Sequence, residues 1–234
     1  MLSRYVSVVA LIVSVSLQVP AAQAPPARPS AAEPGWTSLF NGTDFTGWKL
    51  SKPESFTVEN GAIAASGRAS HAYYDGPFLG HTFRNFELKV DVLVKANPNG
   101  GSNGGVYILT EFEAKGGNVR ASGDFPSKGF EIQVNNAYAR DQVKTGSLYH
   151  VVDITESPVK DDEWFTFHIV VKDQTITVKV NETQTVSWTQ PADWNGGREG
   201  PGRTIRPEGG TIALQAHDVN SVVYYKNIRV KPLP

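Results

Sequence analysis

The clearest periodicity in the chain runs over Phe86–Val94, where Phe86, Leu88, Val90, Val92 and Val94 alternate with Glu87, Lys89, Asp91 and Leu93. A period of two belongs to a strand with one face buried and the other mostly wet. Short runs of the same kind recur at Phe56–Val58, Ala62–Ala64, Val106–Leu109, Gly129–Asn135 and Ser147–Val152. They continue at Trp164–Lys172, Thr175–Val180, Val186–Trp188, Thr211–His217 and Val222–Val230. Asn60-Gly61 separates Phe56–Val58 from Ala62–Ala64 and is a strong hairpin signal. Asp173-Gln174 marks the turn of a second expected hairpin. After the N-terminal segment no stretch of about 12 residues carries a helical period. The pattern predicts an all-β chain whose antiparallel sheets form a sandwich or jelly roll.

The two faces of three strands differ sharply. Along Gly129–Asn135, Glu131, Gln133 and Asn135 share one face and Phe130, Ile132 and Val134 the other. Along Thr211–His217, Thr211, Ala213, Gln215 and His217 oppose Ile212, Leu214 and Ala216. Asn103, Gly105 and Tyr107 oppose Gly104, Val106 and Ile108 in the same way. Solvated outer faces favour Lys, Glu and Thr, whereas these faces carry amides, one Glu and one His. Amides both donate to and accept from hydroxyls, as a groove for a neutral polyhydroxylated ligand requires. Tyr107, Tyr149 and Trp194 supply rings that can stack on a sugar. Phe130, Ile132, Phe167, Ile169 and Leu214 are the expected core. The long loops Ala96–Gly101 and Asn195–Gly210 are rich in glycine, and the second carries Arg198, Arg203 and Arg206. That loop is either a solvated excursion or a substrate wall. His168 reads as structural or solvent-facing, and His71 and His81 fall in loop-like sequence.

The N-terminus has the parts of an export signal: Arg4, an apolar run over Tyr5–Val19, and the small-x-small site Ala22-Gln23-Ala24. Cleavage after Ala24 would leave a Pro/Ala-rich linker over 25–34 and one domain over 35–234. The apolar run is shorter than the ~20 residues of a spanning helix, so no membrane span is expected after cleavage. The 234 residues carry a formal net charge of −1, which gives no electrostatic reason to expect nucleic-acid binding. With no cysteine, disulfides, zinc–thiolate sites and thiol nucleophiles are excluded. The sequence contains no G-x-S-x-G, H-E-x-x-H or G-x-x-x-x-G-K-[ST] motif.

Seven blocks, in order, resemble the 3-keto-disaccharide hydrolase family. Trp36-Thr-Ser-Leu-Phe-Asn-Gly-Thr-Asp-Phe-Thr-Gly-Trp48 is similar to its opening W-x-x-L-F-N-G-x-D-L-x-G-W, and Phe56-Thr-Val-Glu-Asn-Gly61 to its next block. Gly101-Ser-Asn-Gly-Gly-Val-Tyr-Ile108, Gly129-Phe-Glu-Ile-Gln-Val134 and Thr145-Gly-Ser-Leu-Tyr149 follow. Leu214-Gln-Ala-His217 and Tyr225-Lys-Asn-Ile-Arg229 close the series. Two positions depart from the family pattern. Gly104 stands where N-S-G has Ser, which would remove a hydroxyl from the groove. Asn135-Asn136 stands where many members have L-D, so a common carboxylate is missing. The resemblance implies a concanavalin-like jelly roll, export, and action on glycosides oxidised at C3 of the sugar.

A C3 ketone acidifies the C2 proton, so one base and one acid suffice for cleavage without the paired carboxylates of a retaining glycosidase. Glu131 and His217 are the candidate acid–base pair. Asn103, Tyr107, Gln133, Asn135, Tyr149 and Gln215 are the candidate substrate contacts. The expected partner is a saccharide, and the expected location is the periplasm or the exterior. Two other readings use the same residues. One is a non-catalytic, lectin-like carbohydrate-binding module. The other is a metal-assisted lyase in which Glu131 and His217 hold a divalent ion; no cofactor is otherwise expected.

Overall fold

The structure, a computed structural model, describes residues 33–113 and 125–234. The expected signal peptide, and all of the linker but its last two residues, lie outside the described residues. Strands follow in the order β1 (Thr37–Ser38), β2 (Trp48–Leu50), β3 (Phe56–Glu59), β4 (Ala62–Ser66), β5 (Ser70–Tyr74), β6 (Phe86–Val94) and β7 (Gly104–Thr110). They continue as β8 (Phe130–Val134), β9 (Trp164–Lys172), β10 (Thr175–Val180), β11 (Thr183–Thr189), β12 (Thr211–Ala216) and β13 (Val222–Pro232). Helical structure among the described residues is confined to short 3₁₀ turns.

Two sheets result, antiparallel throughout. The larger has the order β11-β10-β9-β6-β13-β4-β3, with β1 added on β13, and the smaller β2-β5-β12-β7-β8. Phe86, Leu88, Val90, Val92 and Val94 are fully buried, as the alternation requires. They meet Phe165, Phe167, Ile169 and Val171 of β9 and, across the sandwich, Ile132, Ile212 and Leu214 in one apolar core. The expected core residues Phe130, Ile132, Phe167, Ile169 and Leu214 all belong to it.

The smaller sheet is buried on both faces: every residue of β5, β7, β8 and β12 is buried. One face meets the core and the other lies under loops. The sequence pattern misses β1, β2 and β5. In Ser70-His-Ala-Tyr-Tyr74 the face of Ser70, Ala72 and Tyr74 contrasts little in polarity with that of His71 and Tyr73, so β5, with His71 fully buried in it, reads as loop. Ser147–Val152, expected as a strand, instead follows the edge of β8 for a few residues and then turns. Gly146 and Tyr149 donate their backbone N–H groups to Gln133 and Glu131 at 3.0 and 2.9 Å. His150 then enters the left-handed region at φ 58°, and Val152 folds back onto Leu148.

Ile132 and Leu214 carry no exposed surface. Truncating either to Ala is expected to cost ~2–5 kcal/mol in urea unfolding. A loss below ~0.5 kcal/mol, the range of surface positions, would contradict the packing described.

Candidate active site

Strand register assembles the site. Tyr107 lies opposite Glu131 and Gly105 opposite Gln133 across β7 and β8. On the other side of β7, Ala213 of β12 lies opposite Tyr107. With side chains alternating along each strand, Asn103, Tyr107, Glu131, Gln133 and Gln215 come to one face. His217 joins them one residue beyond the end of β12. These six residues floor a cavity of about 220 Å³ whose walls are Phe125, Asp141, Tyr149, His150, Glu199 and Arg203. Cavities for drug-sized ligands span roughly 300–1,000 Å³, so this one suits a small ligand or one portion of a larger one.

Glu131 is the centre of the floor and is only 7% exposed. Its Oε2 accepts the Tyr107 hydroxyl at 2.7 Å and its Oε1 accepts the Gln215 amide at 3.1 Å. The carboxyl reaches these donors by lying over Gly105, where any Cβ would overlap Oε1. Burial raises its pKa from 4.5 to about 7, outweighing the lowering by Tyr107, Arg203 and Gln215, and nearby Asp141 adds to the rise. Burial also holds the Tyr107 phenol well above its ordinary range, so it remains a protonated donor. Tyr149 is raised by burial too, and its hydroxyl donates to Asp141 Oδ2 at 2.9 Å.

Three amide oxygens on this floor, Asn103 Oδ1, Gln133 Oε1 and Gln215 Oε1, are buried with no hydrogen-bond partner among the described residues. Buried acceptors are ordinarily satisfied. His217 Nδ1 lies 2.8 Å from Asp218 Oδ2, and its ring sits edge-on to Phe125 and Tyr138.

Asn103, Tyr107, Glu131, Gln133, Tyr149, Gln215 and His217 all line the cavity. Asn135 does not: its amide nitrogen donates to Asp141 O and Val143 O, and its Oδ1 accepts the Tyr138 N–H at 2.8 Å. It braces the loop after β8 instead of facing the cavity. Trp194 is no sugar platform either, because its indole packs on Trp188 and donates to Arg203 O at 2.6 Å. Gly104 points away from the groove, where a Cβ would meet Tyr225 Oη at 2.7 Å, so the Ser-to-Gly departure removes nothing from the cavity.

Nor is Glu131 the one carboxylate of the groove. Asp141 and Glu199 reach it from loops that carry no strand period, which is why the sequence does not reveal them. The glycine-rich loop is a wall: buried Arg203 donates to Gly129 O at 3.0 Å and lies over the Tyr107 ring at 5.5 Å. Among the described residues no three His, Asp or Glu side chains gather as a metal-binding group. Both oxygens of Glu131 already face donors, and His217 Nδ1 faces Asp218.

This is a buried-carboxylate groove on a concanavalin-like jelly roll, the fold shared with lectin and carbohydrate-binding domains. The chain belongs to the family of the 3-keto-alpha-glucoside-1,2-lyase-like domain, which matches residues 35–231. A protein of Parabacteroides distasonis, provisionally named a glycosyl hydrolase, is 25% identical, with a TM-score of 0.65 over 86% of this chain and 94% of its own. Carbohydrate-binding module CBM66 from Bacillus subtilis shares the fold at 11% identity and a TM-score of 0.53, covering 80% of this chain and 96% of its own. The exoplasmic/lumenal domain of VIP36, in a Ca²⁺/Man3GlcNAc-bound form, does so at 12% and 0.55, covering 80% and 85%. A comparison with curated proteins found no match. No helix among the described residues is long and apolar enough to cross a membrane.

The raised Glu131 has a thermodynamic consequence. Between 4.5 and about 7 the folded chain keeps a proton that the unfolded chain has lost. This contribution is therefore fully present below 4.5 and is lost as pH rises to about 7, on the order of 3 kcal/mol in all. Glu131→Gln removes it. The stability of the variant relative to wild type is expected to rise between about pH 4 and pH 8 in paired urea titrations. Parallel pH–stability curves would contradict the assignment.

Proposed function

We propose that this groove cleaves glycosides oxidised at C3, with Glu131 as the base that removes the C2 proton. The observation that carries this reading is the buried Glu131 carboxyl, whose pKa of about 7 suits a base at neutral pH. Family membership supports the substrate class, and the glycosyl-hydrolase name of the Parabacteroides relative supports carbohydrate cleavage. The amide side chains of Asn103, Gln133 and Gln215, which line the cavity, would meet sugar hydroxyls.

In this mechanism the C3 ketone acidifies C2–H. Glu131 takes the proton, while Tyr107 and Gln215 hold its carboxylate in place. Asp218 accepts from the Nδ1 side of His217, so the ring acts as an imidazolium whose Nε2–H donates to the C3 oxygen and steadies the enolate. The enolate re-forms the ketone, a C1=C2 double bond develops, and the C1 substituent leaves. Water addition to the alkene completes a net hydrolysis. The export-like sequence of residues 1–24 would place this chemistry in the periplasm or outside the cell.

The test is turnover and solvent exchange of the C2 hydrogen with a 3-keto-glycoside in deuterated buffer. Glu131→Gln is expected to lower both by ~10²–10⁴-fold, the contribution of a positioned general base, with substrate binding retained. Exchange near the wild-type rate in the variant would remove Glu131 as the base. Sugar binding with neither exchange nor cleavage in wild type would identify a carbohydrate-binding module.

A further inference from the structure

The elimination above has three proton events: loss of the C2 proton, stabilisation of the C3 oxygen, and protonation of the departing glycosidic oxygen. Glu131 and His217 account for the first two. The geometry points to His150, oriented by Glu199, as the acid for the third. This assignment rests on the proposed C2-abstraction chemistry.

His150 and Glu199 both line the cavity and come from loops remote in sequence. His150 Nδ1 and Glu199 Oε1 are 2.6 Å apart, and both side chains are about 15% exposed. The carboxylate keeps a proton on Nδ1 and leaves Nε2 as the nitrogen available to a ligand. The ring is also held flat against Tyr149, with centroids 3.9 Å apart and planes 28° apart. Tyr149 in turn is tied to Glu131 through its backbone N–H, so the imidazole is fixed relative to the base.

The backbone on both sides of this pair takes up conformations that set the two side chains in place. His150 is a non-glycine residue at φ 58°, held there with its N–H donating to Asp153 Oδ1 at 2.7 Å. Glu199 sits in a short 3₁₀ turn between Gly196 and Gly200, whose φ values of 93° and 92° favour glycine. Trp194 anchors the same loop through Arg203 O. A surface ion pair needs none of this.

The step balances. The C2–H bond breaks and its proton goes to Glu131, while the electron pair forms the enolate. The enolate collapses to restore C3=O and form C1=C2, and the C1–O bond breaks. The departing oxygen takes the Nε2 proton of the His150 imidazolium. Neutral His150 keeps its Nδ1–H on Glu199.

The test uses full-length protein and two 3-keto-glycosides, one with a nitrophenyl and one with a methyl leaving group. A nitrophenolate leaves without help, whereas an alkoxide needs a proton. In His150→Gln, C2 exchange is expected to stay near wild type, methyl glycoside cleavage to fall ~10²–10⁴-fold, and nitrophenyl cleavage to fall less than about tenfold. Glu199→Gln, which keeps the shape of the loop residue, is expected to show a smaller loss with the same leaving-group dependence. It also serves should His150→Gln not fold. Unchanged methyl glycoside cleavage would overturn the assignment and point to Glu131 returning its own proton. An equal loss of exchange and of both cleavages would mean a structural role for the pair. Wild-type protein with neither exchange nor cleavage would overturn the underlying mechanism as well.

Discussion

Everything in the site turns on one carboxyl held away from water. Glu131 occupies a strand position whose neighbour across the ladder, Tyr107, donates to it, while Gln215 donates from the next strand. An isolated charge in such a place would be costly. Two neutral donors offset part of that cost without cancelling it, and the result is a group whose proton is exchangeable near neutrality. A cation paired directly on Glu131 would have lowered its pKa and made it a poor base. Arg203 is placed otherwise, its guanidinium spent partly on a backbone carbonyl and lying over the Tyr107 ring.

The architecture follows from keeping that face dry. An antiparallel sheet ordinarily leaves one face in water. Here the segment after β8 and the glycine-rich loop cover the outer face of the smaller sheet, so that polar side chains are buried there among hydrogen bonds. Tyr107, Tyr149, Asp141 and the amides act as a connected lining, and the loops contribute His150 and Glu199 where the strands cannot reach. Glycine has a specific part in this. Gly105 leaves the space that Glu131 fills, and Gly196 and Gly200 permit the turn that carries Glu199.

The legible and illegible parts of the sequence divide along physical lines. Strands with one wet face announce themselves, so β6, β9 and β10 are readable from alternation. The floor of the site is readable although it is buried, because amides, Glu131 and His217 recur at period two opposite an apolar face. β5 is not readable, because Ser70, Ala72 and Tyr74 on one face and His71 and Tyr73 on the other offer no apolar–polar contrast. Asp141, His150 and Glu199 are not readable either, since their positions depend on how irregular segments pack after the sheet has formed. Asn135 misleads because period two sets the side on which a residue emerges, and not whether a neighbouring loop then consumes its hydrogen bonds. The resemblance to the family carries the chemistry further than periodicity can, since no spacing rule distinguishes an oxidised sugar from its parent.

The central claim is an orientation: a C3-oxidised sugar ring in the cavity with C2 toward Glu131 and its C3 oxygen toward His217. The direct measurement is a crystal structure of Glu131→Gln, which retains the side-chain shape, soaked with a slowly cleaved 3-keto-glycoside. The account predicts C2 within contact of the Gln side chain, the C3 oxygen at His217, and ring hydroxyls on Asn103, Gln133 and Gln215. A ligand bound with C1 rather than C2 over position 131, or bound away from this cavity, would contradict it.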